Sequence, residues 1–383
     1  MPTKVFFGKG SIAKLPQAAG KLGVKKALLV YGGSIKKTGL YDTITGLLKG
    51  AGIEWVELSG VAPNPKIASV REGVDICRKN GVDFVIPAGG GSVIDCAKSV
   101  AAAYYYDGDP WEMIKARGKK YMEKALPVIC VLTAAAAGSE LNFNSVISNP
   151  ETKEKLGVHN DSIRPAYAIL DPEYTFTVSR FQTACGAMDI FSHAFDTYFH
   201  NERDAYIADG FGEVIMRTCV KYGRRAMDAP DDYEARANLM WAGSLAINNV
   251  LDCGIKANPW SCHSVENVMS GWFDGLAHGA GLAAVTVHWM RYILNENTVW
   301  RFKRLGTGVF GIDPGLPEME IAKKAIDCTD DFITSLELPK SLSEAGVDRE
   351  SFSGIVGMIP GKLLNGFWPL SDEQVIEWLN RAY

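Results

Sequence analysis

Several signatures are missing from this 383-residue chain, and each absence narrows its function. No C-x-x-C pair occurs: the eight cysteines, at positions 77, 96, 130, 185, 219, 253, 262 and 328, are scattered, several of them in apolar runs. That pattern fits buried thiols in a reducing compartment better than a disulfide scaffold. Positive charge is not in excess; 40 basic against 44 acidic residues leave a formal −4. There is thus no electrostatic case for nucleic acid or an anionic membrane as partner. No apolar run reaches the roughly 18 residues needed to span a bilayer. The start, Met1-Pro2-Thr3-Lys4-Val5-Phe6-Phe7-Gly8, lacks a signal-peptide apolar region, so a cytoplasmic protein is expected. Repeats, low-complexity segments and long linkers are absent too. Histidine is sparse, with six in all.

What is present is a long, well-mixed globular sequence, 47% hydrophobic, whose length favours two domains. Up to about residue 180, short β-branched runs alternate with amphipathic stretches. Strands are expected at 27–31, 55–58, 83–87, 128–132 and 166–172, and helices near 39–50, 66–80 and 93–105. Such alternation predicts a parallel sheet covered by helices. From residue 181 helical periodicity dominates, through 182–199, 205–227, 231–250, 279–294 and 317–335, with a capping-box pattern at Ser371–Gln374 before a last helix. The expected domains are therefore an α/β domain over 1–180 and an all-helical domain over 181–383.

The scarce histidines carry the sharpest local signal. In Gly186-Ala187-Met188-Asp189-Ile190-Phe191-Ser192-His193 a carboxylate and an imidazole stand four residues apart in an apolar context. On a helix both side chains point at the same volume. The spacing also suits an Asp–His hydrogen bond that ties a helix into a core. His263 and His278 follow about 70 and 85 residues after His193, in Trp260-Ser261-Cys262-His263 and Leu276-Ala277-His278-Gly279. One carboxylate with three neutral imidazoles suits Fe²⁺, Zn²⁺, Mn²⁺, Co²⁺ or Ni²⁺ rather than Ca²⁺ or Mg²⁺, and leaves room for a substrate oxygen. His159, His200 and His288 have no such company and read as packing or surface residues.

Three glycine or small-residue loops follow strands. Gly89-Gly90-Gly91-Ser92 opens a helix, where close backbone approach and free N–H groups suit a pyrophosphate, although neither standard phosphate fingerprint is matched. Tyr31-Gly32-Gly33-Ser34-Ile35-Lys36-Lys37 has no acid to accept from a ribose 2′-hydroxyl and two lysines that suit a 2′-phosphate, hence NADP(H) over NAD(H). Thr133-Ala134-Ala135-Ala136-Ala137-Gly138-Ser139 is small enough to admit a flat ring, or to pack closely as a helix.

Together these segments resemble the iron-containing (group III) alcohol dehydrogenases, nearest to the branch of NADPH-dependent butanol dehydrogenases and aldehyde reductases. The resemblance covers essentially the whole chain. It implies a Rossmann-like N-terminal domain, a dehydroquinate synthase-like helical C-terminal domain, a homodimer, and one catalytic divalent metal, Fe²⁺ or Zn²⁺, on Asp189, His193, His263 and His278. It further implies that Gly90, Gly91 and Ser92 hold the pyrophosphate with Asp95 nearby, and that Gly32, Gly33 and Ser34 surround the adenosine ribose. Thr133, Asn142 and Lys155 would meet the rest of the cofactor. Three departures stand out: Asn267 replaces the family's further histidine, the interval between His263 and His278 is one residue longer, and Ala137 replaces a threonine.

The activity implied is hydride transfer between NADP(H) and a short-chain primary alcohol or aldehyde such as butanol or butanal. The alternatives are a polyol or polyol-phosphate dehydrogenase of the same superfamily, or a non-catalytic, metal-stabilised nucleotide-binding protein. Residues 183–200 and 260–280 contain no Lys or Arg, which disfavours a phosphorylated substrate. Phe143, Trp260 and Trp272 are candidates for an apolar substrate wall.

Overall fold

The computed structural model describes residues 2–256, 260–359, 361 and 363–383. The chain divides into two compact units, residues 1–178 with 230–244, and residues 179–229 with 245–383. The boundary falls at 178/179, and the segment 230–244 belongs to the first unit although its helical periodicity resembles that of the second.

The first unit is built on a six-stranded, wholly parallel sheet of β1 (Lys4–Phe7), β2 (Lys26–Tyr31), β3 (Glu54–Leu58), β4 (Phe84–Gly89), β5 (Ile129–Leu132) and β8 (Tyr167–Leu170). Their spatial order is β1-β8-β5-β4-β2-β3. Strand residues alternate between two cores, which is why the strands read as nearly continuous apolar runs. Leu28, Val30, Val85, Cys130, Leu132 and Ala168 face one core, packed on α3 (Ile67–Asn80), α4 (Gly91–Ala103) and the short α5 (Pro110–Lys115). Ala27, Leu29, Phe84, Ile86, Ile129 and Val131 face the other, packed on α1 (Leu15–Leu22) and α2 (Leu40–Gly50).

Two strands outside this sheet, β6 (Asn144–Asn149) and β7 (Glu154–His159), form an antiparallel hairpin. It escapes the sequence reading because its residues are mostly polar or charged and show no clean alternation. The half-exposed edge strand β1 escapes it as well.

The second unit is helical: α6 (Arg180–Tyr198), α7 (Tyr206–Asp228), α9 (Ser261–Trp272), α10 (His278–Ile293), α11 (Val299–Phe310), α12 (Glu318–Ser335), α13 (Phe352–Gly357) and α14 (Asp372–Arg381). Helix α8 (Tyr233–Ala246) lies mostly in the first unit. Ser179 caps α6 by accepting from Gln182 N, and the capping box at Ser371 and Gln374 opens α14 as expected. From Thr183 to Tyr198 every residue of α6 is buried, so this helix is central rather than amphipathic. No described helix is long and apolar enough to cross a membrane.

Candidate active site

In the first unit, register brings the three loops to one edge. Tyr31 pairs with Ala88 and Ala88 with Val131, so β2, β4 and β5 release their following segments side by side at the carboxyl end of the sheet. That edge is where ligands bind in open parallel sheets. Gly90 caps α4, and Gly91 is its first residue. A Cβ on Gly91 would stand 2.8 Å from that of Ala137, so glycine is what lets the phosphate-type loop lie against the Thr133–Ser139 segment. Gly33 and Ser34 are exposed, Gly32 is half-buried, and Ser92 and Thr133 are half-buried.

Two of the expected cofactor residues, Asp95 and Asn142, are also engaged inside the unit. Asp95 accepts from Ser139 Oγ at 2.5 Å and from Val146 N at 2.9 Å, bracing the loop and the hairpin from beneath. Asn142 is buried, and its Oδ1 accepts from Lys98 Nζ and Asn144 N. Both side chains thus also brace the Thr133–Ser139 segment and the hairpin. Lys155 is half-buried on β7 opposite Ser148, close enough for its charge to act on Asp95. The hub is Lys98, which the sequence reading passes over although it lies three residues after Asp95. It is fully buried and donates to Ser139 Oγ, Asn142 O, Asn142 Oδ1 and Asn144 O at 2.9–3.0 Å. Burial pushes this lysine down to about 8, against the pull of Asp95.

In the second unit, α6, α9 and α10 bring Asp189, His193, His263 and His278 together. Asp189 Oδ1 lies 3.4 Å from His278 Nε2, 3.6 Å from His263 Nε2 and 3.7 Å from His193 Nε2. Two ligands at about 2.1 Å from one ion in tetrahedral geometry are about 3.4 Å apart, which is the spacing seen here. The donor atoms of Asp189, His263 and His278 all fall within 4.8 Å of one another; His193, its ring stacked on that of His263 at 4.6 Å, joins them through Asp189. His278 is the first residue of α10, and a Cβ on the following Gly279 would sit 2.2 Å from Cys185 O. The His-Gly pair therefore reflects close contact between α10 and the backbone of α6.

The electrostatics of this cluster are one-sided. Asp189 is 4% exposed, yet its Oδ1 and the facing Nε2 of His263 have no hydrogen-bond partner. Such orphans are costly in a buried site, and a cation between them satisfies both. Burial alone would raise the Asp189 carboxyl, but the three imidazoles hold it well below the usual carboxylate range. Burial pushes His193 down to about 3, so it is neutral and able to donate a lone pair. At His263 burial also opposes charge, but Asp189 and Asp196 outweigh it and carry the imidazole up to about 9.

Two buried acids stand behind the histidines, and neither is singled out by sequence reasoning. Asp196 Oδ2 lies 2.7 Å from His263 Nδ1, and Glu266 Oε2 touches His278 Nδ1. The signal for the first was available: Asp189, His193 and Asp196 fall on one face of α6 at i, i+4 and i+7. Trp260, in a left-handed backbone conformation at the start of α9, places its ring 5.3 Å from His263 and 5.6 Å from His193. The other two candidate wall residues are occupied elsewhere. Phe143 packs under Arg164 and against His159, and Trp272 donates to Met358 Sδ and fills the space at Gly354. Asn267 lies one turn beyond His263 on α9. His159, His200 and His288 face Asn144, Asp209 and Lys340 O instead.

Known proteins show the same arrangement of segments. Residues 2–172 match the family profile described as "Iron-containing alcohol dehydrogenase", and residues 183–383 match "Fe-containing alcohol dehydrogenase family, C-terminal". The chain is 47% identical to NADH-dependent butanol dehydrogenase A of Clostridium acetobutylicum, covering 100% of this chain and 98% of that protein. It is 35% identical to NADPH-dependent aldehyde reductase YqhD of Escherichia coli, over 93% of this chain and 90% of that one. The crystal structure of an NADH-dependent butanol dehydrogenase A from Thermotoga maritima superposes with a TM-score of 0.93 at 40% identity, covering 100% of this chain and 97% of that one. With a glycine-loop sheet edge in one unit, a carboxylate–imidazole cluster in the other and full-length similarity on this scale, the chain belongs to the iron-containing alcohol dehydrogenase family.

Proposed function

We propose that this protein catalyses reversible hydride transfer between a nicotinamide dinucleotide and short-chain primary alcohols or aldehydes, butanol and butanal among them. The observation that carries the reading is the convergence of Asp189 Oδ1 and His263 Nε2, both buried and both without a hydrogen-bond partner, beside His193 and His278. Asp189, His193, His263 and His278 would hold one divalent cation, Fe²⁺ or Zn²⁺, which supplies Lewis acidity toward a carbonyl oxygen. The chain's own work is to hold the dinucleotide on the Gly32–Ser34 and Gly90–Ser92 loops, with Thr133 and Lys155 toward its nicotinamide half, and to exclude water around the cluster. Trp260 offers an apolar wall, and the absence of Lys and Arg from 183–200 and 260–280 favours an uncharged substrate. Asn267 has no titratable proton to pass, so proton exchange falls to solvent.

NADP(H) is the preferred form in this reading, because the Gly32–Lys37 loop offers hydroxyl and lysine groups and no carboxylate of its own. Lys36 is partly engaged, 3.5 Å from Glu57 and over the rings of Tyr31 and Tyr41, which leaves Lys37 as the loop's second cation. Of the relatives named above, two are named NADH-dependent and one NADPH-dependent, so the preference proposed here rests on this loop alone. A homodimer in the cytoplasm completes the proposal.

The deciding experiment measures oxidation of NADPH and NADH by butanal in metal-free protein before and after anaerobic addition of Fe²⁺ or Zn²⁺. Turnover is expected only after addition, with the larger kcat/KM for NADPH. No turnover with any metal across a panel of aldehydes would sink the enzymatic reading and leave a nucleotide-binding protein. A larger kcat/KM for NADH would overturn only the cofactor preference.

A further inference from the structure

The three imidazoles of the cluster are not held alike. Among the described residues His193 has no carboxylate against Nδ1, and it is placed by its own helix and by the ring of His263. His263 and His278 each present Nδ1 to a carboxylate, Asp196 for the first and Glu266 for the second. Those acids sit at 2% and 0% exposure, where a charged group is retained only with good partners. Asp196 also accepts from the backbone N–H groups of His263 at 3.0 Å and Cys262 at 3.3 Å, capping α9 from α6. Glu266 takes the hydroxyl proton of Ser270 on its other oxygen. A Cβ on Gly281 would come within 2.9 Å of Glu266 Cγ, so the glycine keeps open the space this acid fills.

We propose that Asp196 and Glu266 are positioning residues: they hold the Nδ1–H tautomers of His263 and His278, aim both Nε2 lone pairs at Asp189 Oδ1, and so set the affinity for a divalent cation. The inference rests on the metal-centre reading above. A neutral imidazole carries one ring proton, and an ionised carboxylate only accepts. The proton must therefore lie on the nitrogen facing the acid, which leaves Nε2 free to ligate. The arrangement is also a chain of dependence. Helix α6 aims the histidine of α9, and α9 aims that of α10, so all three helices must be seated before the donor atoms converge.

Asp196→Asn and Glu266→Gln keep side-chain size but can turn an N–H₂ group toward Nδ1, favouring the tautomer whose Nε2–H points at the cation. In the full-length protein, Zn²⁺ affinity measured by chelator competition should fall about tenfold to hundredfold in either variant. Dinucleotide affinity should stay within twofold. In zinc-loaded, ¹⁵N-histidine-labelled protein, the Nδ1–H signature of the affected histidine should be lost, a change that a merely structural role would not produce. Glu266→Gln caps no helix and carries the test if Asp196→Asn fails to fold. Unchanged Zn²⁺ affinity in the variants overturns the proposal. Parallel loss of Zn²⁺ and dinucleotide affinity overturns it too, because the acids would then only be holding the fold. A wild-type chain that binds no stoichiometric Zn²⁺ would instead remove the metal-centre reading, and this inference with it.

Discussion

Lys98 in the first unit and Asp189 in the second are both charged groups with almost no exposed surface, at 0% and 4%. Their surroundings differ in kind. Lys98 has four acceptors within 3.0 Å, and its neighbours Asp95, Ser139 and Asn142 are satisfied in turn. Asp189 Oδ1 and His263 Nε2 have no such partner although both face the same small volume. A buried polar network that closes on itself rigidifies a scaffold, whereas one left open at a convergent point is shaped for something that arrives from outside. The glycine loops of the first unit adjoin a closed network; the helices of the second unit converge side chains on an open one.

His263→Ala is the severest test of that contrast. It should abolish metal retention and lower kcat/KM by about a thousandfold or more, in line with loss of a Lewis acid, while dinucleotide affinity changes less than twofold. Metal analysis and a dinucleotide titration on the same preparation check both halves. Loss of both would mean that the two sites are not separable.

Lys98→Met opens the closed network. Removing this donor leaves buried acceptors unsatisfied, at about 1–3 kcal/mol for each, so urea unfolding of the metal-free protein should show a loss of a few kcal/mol with zinc affinity intact. Unchanged stability would contradict the closed network.

A smaller effect is expected from Gly91→Ala. The added Cβ presses on that of Ala137 at 2.8 Å and must displace the loop; dinucleotide affinity should fall about tenfold, or about 1.4 kcal/mol. Zinc affinity should be unaffected, and calorimetric titration of each ligand separates the two outcomes.

The smallest effect expected is a pH trend. The metal-free imidazole of His263 is raised to about 9 by Asp189 and Asp196. A raised folded-state value stabilises the protein fully below the ordinary histidine range near 6.5 and loses that contribution as pH climbs through about 9. Metal-free protein should therefore lose stability between those limits, and zinc-loaded protein, with no proton on Nε2, should not. Thermal melts of the two forms across this range check the difference; parallel curves would contradict the assignment.

Much of the architecture was legible in the chain. The other five sheet strands and most long helices announce themselves by β-branched runs and by 3.6-residue periodicity, and the Asp189/His193 pair by its i,i+4 spacing. Helices α9 and α11 were not read. The first begins at a residue in left-handed conformation without a side-chain cap of its own, its cap arriving as Asp196 from another helix. Only packing reveals that Asp95 and Asn142 are also tied to Lys98, Ser139 and the hairpin.

By itself, then, the sequence determined which residue types could bind what: imidazoles and a carboxylate in apolar settings, glycines after strands, and lysines without an acid in one loop. Those are properties of local spacing and side-chain chemistry, and they survive without coordinates. Only the tertiary structure decided which polar groups are satisfied and which are left open. Hydrogen bonds between residues 40 to 70 positions apart, such as Lys98 with Asn142 and Asp196 with His263, depend on how helices and hairpins pack. Their physical consequence is an orphaned oxygen and an aimed nitrogen, which no spacing rule can encode.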